Sequence, residues 1–208
     1  MELKNFLTHF LCDEASELES SVAAESPHAP ANLSFLWEHF PGRSFNDGLY
    51  RIMSKKHLTW SIEFVALAFP HLANTIICFS YDWLGRLFAL DLKRVEQGDQ
   101  AILMLEPGTG QSLEIPANME SFHNNELIVN ADAALASSFY HNWRASGGVA
   151  PKIGECIGYR KLLFLGGEDS IRNLELTDIE VYWHLSAQLI EQVHGLQRGV
   201  KIHNISIA

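Results

Sequence analysis

The chain has 208 residues, 47% hydrophobic and 19% charged, with five Trp and twelve Phe; that is length and apolar surface for one generous domain, or a domain with a small N-terminal subdomain, and it excludes wholesale disorder. Fifteen Lys and Arg stand against 25 Asp and Glu, a formal net charge of −10; phosphate backbones repel such a chain, so nucleic acid is not the expected partner. The same charge attracts basic proteins.

Residues Leu3 to Leu11 carry apolar side chains at helical spacing, which predicts a short helix. Asp13, Glu14, Glu17, Glu19 and Glu25 follow, read as a solvated acidic stretch, and Ser26 to Ala31, with Pro27 and Pro30, as a linker. Leu33 to Phe40 and Thr59 to Phe69 read as helices ended by Pro41 and Pro70, with a strand over Gly48 to Met53 between them. The middle of the chain turns to β. Thr75–Tyr81, Leu87–Leu92, Ala101–Leu105 and Ser112–Ile115 are strand candidates, the last stopped by Pro116. Asp82-Trp83-Leu84-Gly85 and Glu106-Pro107-Gly108-Thr109-Gly110 are the turns between them. Helix then returns from Ala131 to about Ala145, capped by Asn130, with Gly147 beyond its end. Gly158–Leu165 reads as a buried strand. Thr177-Asp178-Ile179-Glu180 fits a capping box that opens a final helix, with Ile179, Trp183, Ser186, Ile190 and Val193 on one face. The expected class is α+β, an antiparallel meander sheet flanked by helices. The expected organisation is an N-terminal helix and acidic linker over 1–30, an α+β part with the meander over 31–125, and a C-terminal α+β part over 126–208 packed on it.

Ten His residues are scattered, with no HExxH and no Cys/His cluster; Glu180 and His184, one helical turn apart, are the nearest pair to a metal site. No metal or cofactor is expected. Gly108-Thr109-Gly110 and Gly166-Gly167-Glu168-Asp169 lack the features of phosphate loops and read as turns. No GxSxG elbow occurs. Cys12, Cys78 and Cys156 form no CxxC pair and read as buried, inert thiols of a reducing compartment. Met1 is followed by Glu2, without the basic start of a secretory signal, and no apolar run reaches spanning length; the expectation is a cytoplasmic, non-enzymatic protein. Tyr81-Asp82-Trp83-Leu84-Gly85-Arg86 has two readings: a hairpin turn fixed by Asp82 and Gly85, or an exposed Trp and Arg beside an acid, suited to an interface.

Four stretches resemble a known family: Phe79-Ser80-Tyr81-Asp82-Trp83-Leu84-Gly85-Arg86-Leu87-Phe88-Ala89-Leu90-Asp91; Glu106 to Pro116; Glu155-Cys156-Ile157-Gly158-Tyr159-Arg160; and Leu163 to Asp169 with Asn173-Leu174-Glu175 and Asp178 to Trp183. They look like the bacterial family that includes immunity proteins of type VI secretion DNase effectors. The resemblance implies a GAD-like N-terminal part, a characteristic C-terminal domain and a SUKH-like architecture. It covers about Leu33 to Val193 and leaves 1–30 and 197–208 outside. It implies a protein that neutralises a toxin by binding it and brings no catalytic residues. Charge and resemblance agree: a DNase exposes a basic groove, which an acidic partner can occupy. The expected partner is a basic toxin, a DNase effector encoded nearby. The expected contacts are Asp82, Trp83 and Arg86 at the hairpin and Glu168 and Asp169 at the Gly-Gly turn, since loops on a rigid scaffold carry binding. The competing readings are an intracellular adaptor module, and an enzyme or small-molecule binder with a pocket walled by Trp83, Tyr159 and Trp183.

Overall fold

The apolar runs in the middle of the chain pair with one another in the order in which they occur. The computed structural model describes residues 1–13, 30–54, 57–193 and 195. In it β1 (Ser44–Phe45), β2 (Tyr50–Ile52), β3 (Ile76–Asp82), β4 (Leu87–Glu96), β5 (Asp99–Glu106) and β6 (Gln111–Asn118) make one antiparallel sheet in that order. The class is α+β, with a meander flanked by helices, as expected. In the β3–β4 hairpin Ile76 lies opposite Asp91 and Tyr81 opposite Leu87. β6 does not stop at Pro116. The β5–β6 register shifts between Ala101↔Asn118 and Ile102↔Ile115, so Pro116 sits in a bulge of an edge strand, where no ladder N–H is demanded of it.

Helices cover both faces of the sheet. On one lies α1 (Lys4–His9), whose Phe6 is fully buried against Phe45, Tyr50 and His123. Beside it run α4 (Met119–Ser121), a π-helical turn (Phe122–Glu126) and α5 (Leu127–Val129). The Asn124 side chain accepts the Phe6 N–H and donates to the Glu2 carbonyl, fastening α1 in place. His123 is buried and neutral: Nδ1 bonds the Met119 carbonyl and Nε2 accepts from the Tyr50 hydroxyl, while burial holds its pKa down at about 4. The other face carries α3 (Leu58–Ala68), which packs on β3 and on the C-terminal helix. α2 (Ala31–His39) completes this first half and buries Leu33, Leu36 and Trp37.

The C-terminal half departs from expectation in three places. The helix expected over Ala131 to Ala145 is two helices, α6 (Ala131–Leu135) and α7 (Ser137–Ala145). They are broken at Ala136, whose φ of 48° is left-handed. Asn130 does not cap α6; its amide donates to the Glu126 carboxylate instead. The strand expected over Gly158–Leu165 is β7 (Glu155–Tyr159), and Leu163–Leu165 is a 3-10 turn. β7 pairs with β8 (Leu174–Asp178), which has no counterpart among the expected strands, as a separate two-stranded sheet. Finally, α8 (Ile179–Val193) is capped one residue later than the box predicts. Thr177 is committed to β8, and Asp178 Oδ1 accepts the N–H of Glu180 at 2.9 Å and of Val181 at 3.0 Å. α8 buries Ile179, Tyr182, Trp183, Ser186, Ala187 and Ile190.

Cys78 and Cys156 are buried, and burial pushes the Cys78 thiol up to about 12. Cys12 is exposed, contrary to expectation; α1 has ended by then, and Cys12 lies in an outer bridge to Phe45. Among the described residues no helix is long and apolar enough to cross a membrane. The acidic stretch beyond Asp13, the linker up to residue 29 and the tail from residue 196 lie outside the described residues.

The corrected cap is open to test. Asp178→Ala should destabilise the protein by about 1 kcal/mol in a urea titration, the usual cost of a lost N-cap. Thr177→Ala, at a half-buried strand position whose hydroxyl caps no helical N–H, should cost less than Asp178→Ala; the reverse order would restore the original box.

Candidate functional site

The β3–β4 turn is buried and densely hydrogen-bonded. Asp82, Trp83 and Arg86 are all buried, with Asp82 and Trp83 fully so. They are therefore not the exposed interface residues that the second reading of the turn requires, and the reason is visible in their bonds. Asp82 Oδ1 accepts the N–H of Leu84 and of Arg86, each at 3.0 Å. Its Oδ2 takes Arg86 Nε at 2.6 Å and Nη2 at 2.5 Å. Burial pushes the Asp82 carboxyl above its ordinary value, and the Arg86 guanidinium with the backbone donors opposes that push. Gly85 closes the turn at φ 73°; a Cβ there would also come within 3.0 Å of the Cys156 sulfur.

From this turn, bonds reach α6, α8 and β7. Trp83 donates its indole N–H to the Leu135 carbonyl at 2.8 Å, and Arg86 Nη2 donates to that of Ala134 at 3.1 Å. Both acceptors lie at the C-terminus of α6, where carbonyls have no partner within the helix. The Trp183 indole in α8 donates to the Gly85 carbonyl at 2.7 Å, and the Ile157 N–H of β7 to the Trp83 carbonyl at 2.6 Å. Trp83 and Trp183 thus do not wall a pocket; they are spacers with satisfied indoles.

Beside the turn opens a cleft of about 420 Å³. Leu84 and Arg86 line it from the β3–β4 turn, and Glu106 from the end of β5. Asp132, Ser138, Phe139 and Asn142 come from α6 and α7, and Tyr159 and Asp169 from the C-terminal sheet and its loop. The cleft joins what the sequence left apart, since Arg86 of the hairpin and Asp169 of the Gly-Gly turn share it. The Gly-Gly turn is stapled by Asn173, whose side chain takes the Lys161 N–H and donates to the Lys161 and Glu168 carbonyls. A Cβ at Gly167 would meet the Lys161 carbonyl oxygen at 1.9 Å, so only glycine fits there. This holds Asp169 where Oδ1 accepts the Tyr159 hydroxyl at 2.7 Å. Burial first, and then Asp169 and Glu106, push the Tyr159 phenol up, so it stays a protonated donor. Asp132 accepts the Ser138 N–H across the break at Ala136, which holds its carboxyl below the usual range.

Three carboxylates therefore face the cleft, and none has an ion-pair partner among the described residues. Among the described residues the one cation lining it, Arg86, is already paired with Asp82. Glu168 and Asp169 are both exposed, as expected. Glu106 and Asp132 were not among the expected site residues. Glu106 opens a quoted motif and was readable as a turn acid; Asp132 depends on the break at Ala136, which leaves no mark in sequence. Among the described residues no three His, Cys, Asp or Glu side chains are grouped so as to hold a metal ion, and His184 bonds Gln188.

Fold and cleft together define an α+β protein with a carboxylate-walled cleft beside a fully bonded turn. Residues 117–190 match the family model described as T6SS immunity protein Tdi1, C-terminal; over this stretch, about a third of the chain, the sequence is similar to that family's C-terminal domain. The match takes in the quoted motifs from Glu155 onward and the Asp132, Phe139, Tyr159 and Asp169 side of the cleft; Leu84, Arg86 and Glu106 precede it. The crystal structure of Atu4351 from Agrobacterium tumefaciens superposes with a TM-score of 0.57 at 14% identity, covering 90% of this chain and 89% of that one. At that identity the likeness is one of fold. No curated protein sequence matches the chain.

The turn's role in stability follows from its burial. Asp82→Ala leaves the Arg86 cation buried and unpaired, which costs about 3–5 kcal/mol in comparable cases. A loss below about 1 kcal/mol in denaturant unfolding, the scale of an exposed ion pair, would show that the fold does not depend on this pair.

Proposed function

We propose that the protein is an immunity protein that binds a cognate secreted nuclease and neutralises it by covering its active or DNA-binding surface. The observation that carries the reading is the cleft with its three carboxylates, none in an ion pair among the described residues, in a chain of net charge −10. A nuclease grips the phosphate backbone with Lys and Arg. A surface of opposite sign competes for those same cations and speeds encounter. The immunity-domain match at 117–190 supports a role in which binding, without turnover, is the activity. On this reading Asp169, which lines the cleft, and its exposed neighbour Glu168 touch the toxin. Asp82, Trp83 and Arg86 act from beneath by fixing the shape of the cleft, with Arg86 alone reaching its surface.

The test is a complex with the nuclease-domain protein encoded beside this chain, purified together and measured by calorimetry over a salt series. Wild type is expected to bind tightly, and more weakly as salt rises. Glu168→Lys with Asp169→Lys, at unchanged melting temperature, is expected to weaken binding about tenfold or more and to flatten the salt dependence. Absence of any complex with that nuclease would overturn the reading. Unchanged affinity and salt slope in the double variant would remove these two residues from the interface.

A further inference from the structure

We propose that the cleft is the receptor for one basic side chain of the toxin, an arginine or lysine, and that Arg86 holds the backbone carbonyl of the segment presenting it. This rests on the immunity reading and adds to it the chemistry that fills the cleft. Two independent features point to an occupant with both a cation and an acceptor. The first is the acid wall of Glu106, Asp132 and Asp169, with no cation paired to it among the described residues. A cation entering there meets acceptors already oriented, Asp169 by the Tyr159 hydroxyl, Glu106 by the Thr109 hydroxyl at 3.0 Å and Asp132 by the Ser138 N–H.

The second feature is Arg86 itself. Its side chain is only 7% exposed. Nε and Nη2 are spent on Asp82 and the Ala134 carbonyl, while no described residue accepts a hydrogen bond from Nη1. Nη1 is absent from the buried polar atoms that lack partners, so it touches solvent, and the cleft is what Arg86 lines. A rigid guanidinium whose Nη1 N–H groups are left over asks for an oxygen acceptor. Since its charge is already met by Asp82, a neutral peptide carbonyl suits it better than a second carboxylate, which the three acids would repel. A basic residue within a loop supplies both halves, the carbonyl from its backbone and the cation from its side chain. A free amino acid, whose carboxylate would have to sit among the acids, suits the site less well. Phe139 and Leu84 give the side chain's methylene stem an apolar wall.

The probe is acetyl-Gly-Arg-Gly-amide, which has a guanidinium and peptide carbonyls but no free terminal charge. Titrated into the isotopically labelled full chain at low salt, it is expected to shift the amide resonances of Glu106, Asp132, Tyr159 and Asp169 with a millimolar midpoint. Acetyl-Gly-Glu-Gly-amide is expected to leave those resonances unmoved. Glu106→Gln at unchanged melting temperature should weaken the arginine peptide about tenfold, the scale of one lost charge contact; where that variant is destabilised, Asp169→Asn serves the same comparison. Three results overturn the proposal: no shift at the cleft, equal shifts from the glutamate peptide, or tighter binding of a free amino acid than of the blocked peptide. Failure of the immunity reading shows elsewhere, as the absence of a complex with the neighbouring nuclease, so the two can fail separately.

Discussion

A carboxylate and a guanidinium buried together must have nearly all their hydrogen bonds made inside the protein, and the Asp82–Arg86 pair imposes this demand on everything around it. Removing each ion from water costs several kcal/mol, and attraction alone does not return it. Asp82 is satisfied within the turn by the Leu84 and Arg86 N–H groups and by the guanidinium. Arg86 takes a further acceptor outside the turn, the Ala134 carbonyl. A carbonyl one residue from the end of α6 is free only if the helix stops there. It does so at Ala136, in a left-handed conformation that costs a non-glycine residue about 1–3 kcal/mol. The break turns α7 aside, so that Ser138, Phe139 and Asn142 face Arg86 across open space. The cleft is thus a consequence of how one buried ion pair is satisfied.

The same turn explains why the two halves of the chain form one hydrophobic core. Trp83 reaches α6, Trp183 reaches back from α8 to Gly85, and β7 bonds the Trp83 carbonyl. Each contact joins residues distant in sequence, so the C-terminal segment is anchored through the meander's first hairpin. The cleft opens across that junction, with both of its sides tied to the same bonded turn.

Much of this was legible in the sequence. The β3–β4 hairpin and β5 show as apolar, β-branched runs separated by glycine turns, and α3 and α8 show as apolar periodicity with an end signal. What was not legible has identifiable causes. β8 reads Leu174-Glu175-Leu176-Thr177-Asp178, a clean alternation, but it stands directly before the helix, and its Thr177 mimics a cap. The break at Ala136 is set by acceptors demanded from 50 residues away, and alanine gives no local sign of it. At Asp82 to Arg86 the sequence offered a structural and an interface reading; burial favours the structural one, because a Trp and Arg so placed are bonded inward. The Glu168–Asp169 turn was correctly exposed, yet its place beside Arg86 came only from the three-dimensional path of the chain.

The central claim is that the Asp82–Arg86 turn and its two tryptophans form a single unit that opens only when the whole molecule unfolds. Native-state hydrogen exchange of the indole N–H groups tests it directly. Those of Trp83 and Trp183 should exchange with the free energy and urea dependence of global unfolding. That of Trp143, bonded to Val149 at the surface, should exchange through small local openings. Exchange of Trp83 or Trp183 at a markedly lower free energy, with little dependence on urea, would contradict the account.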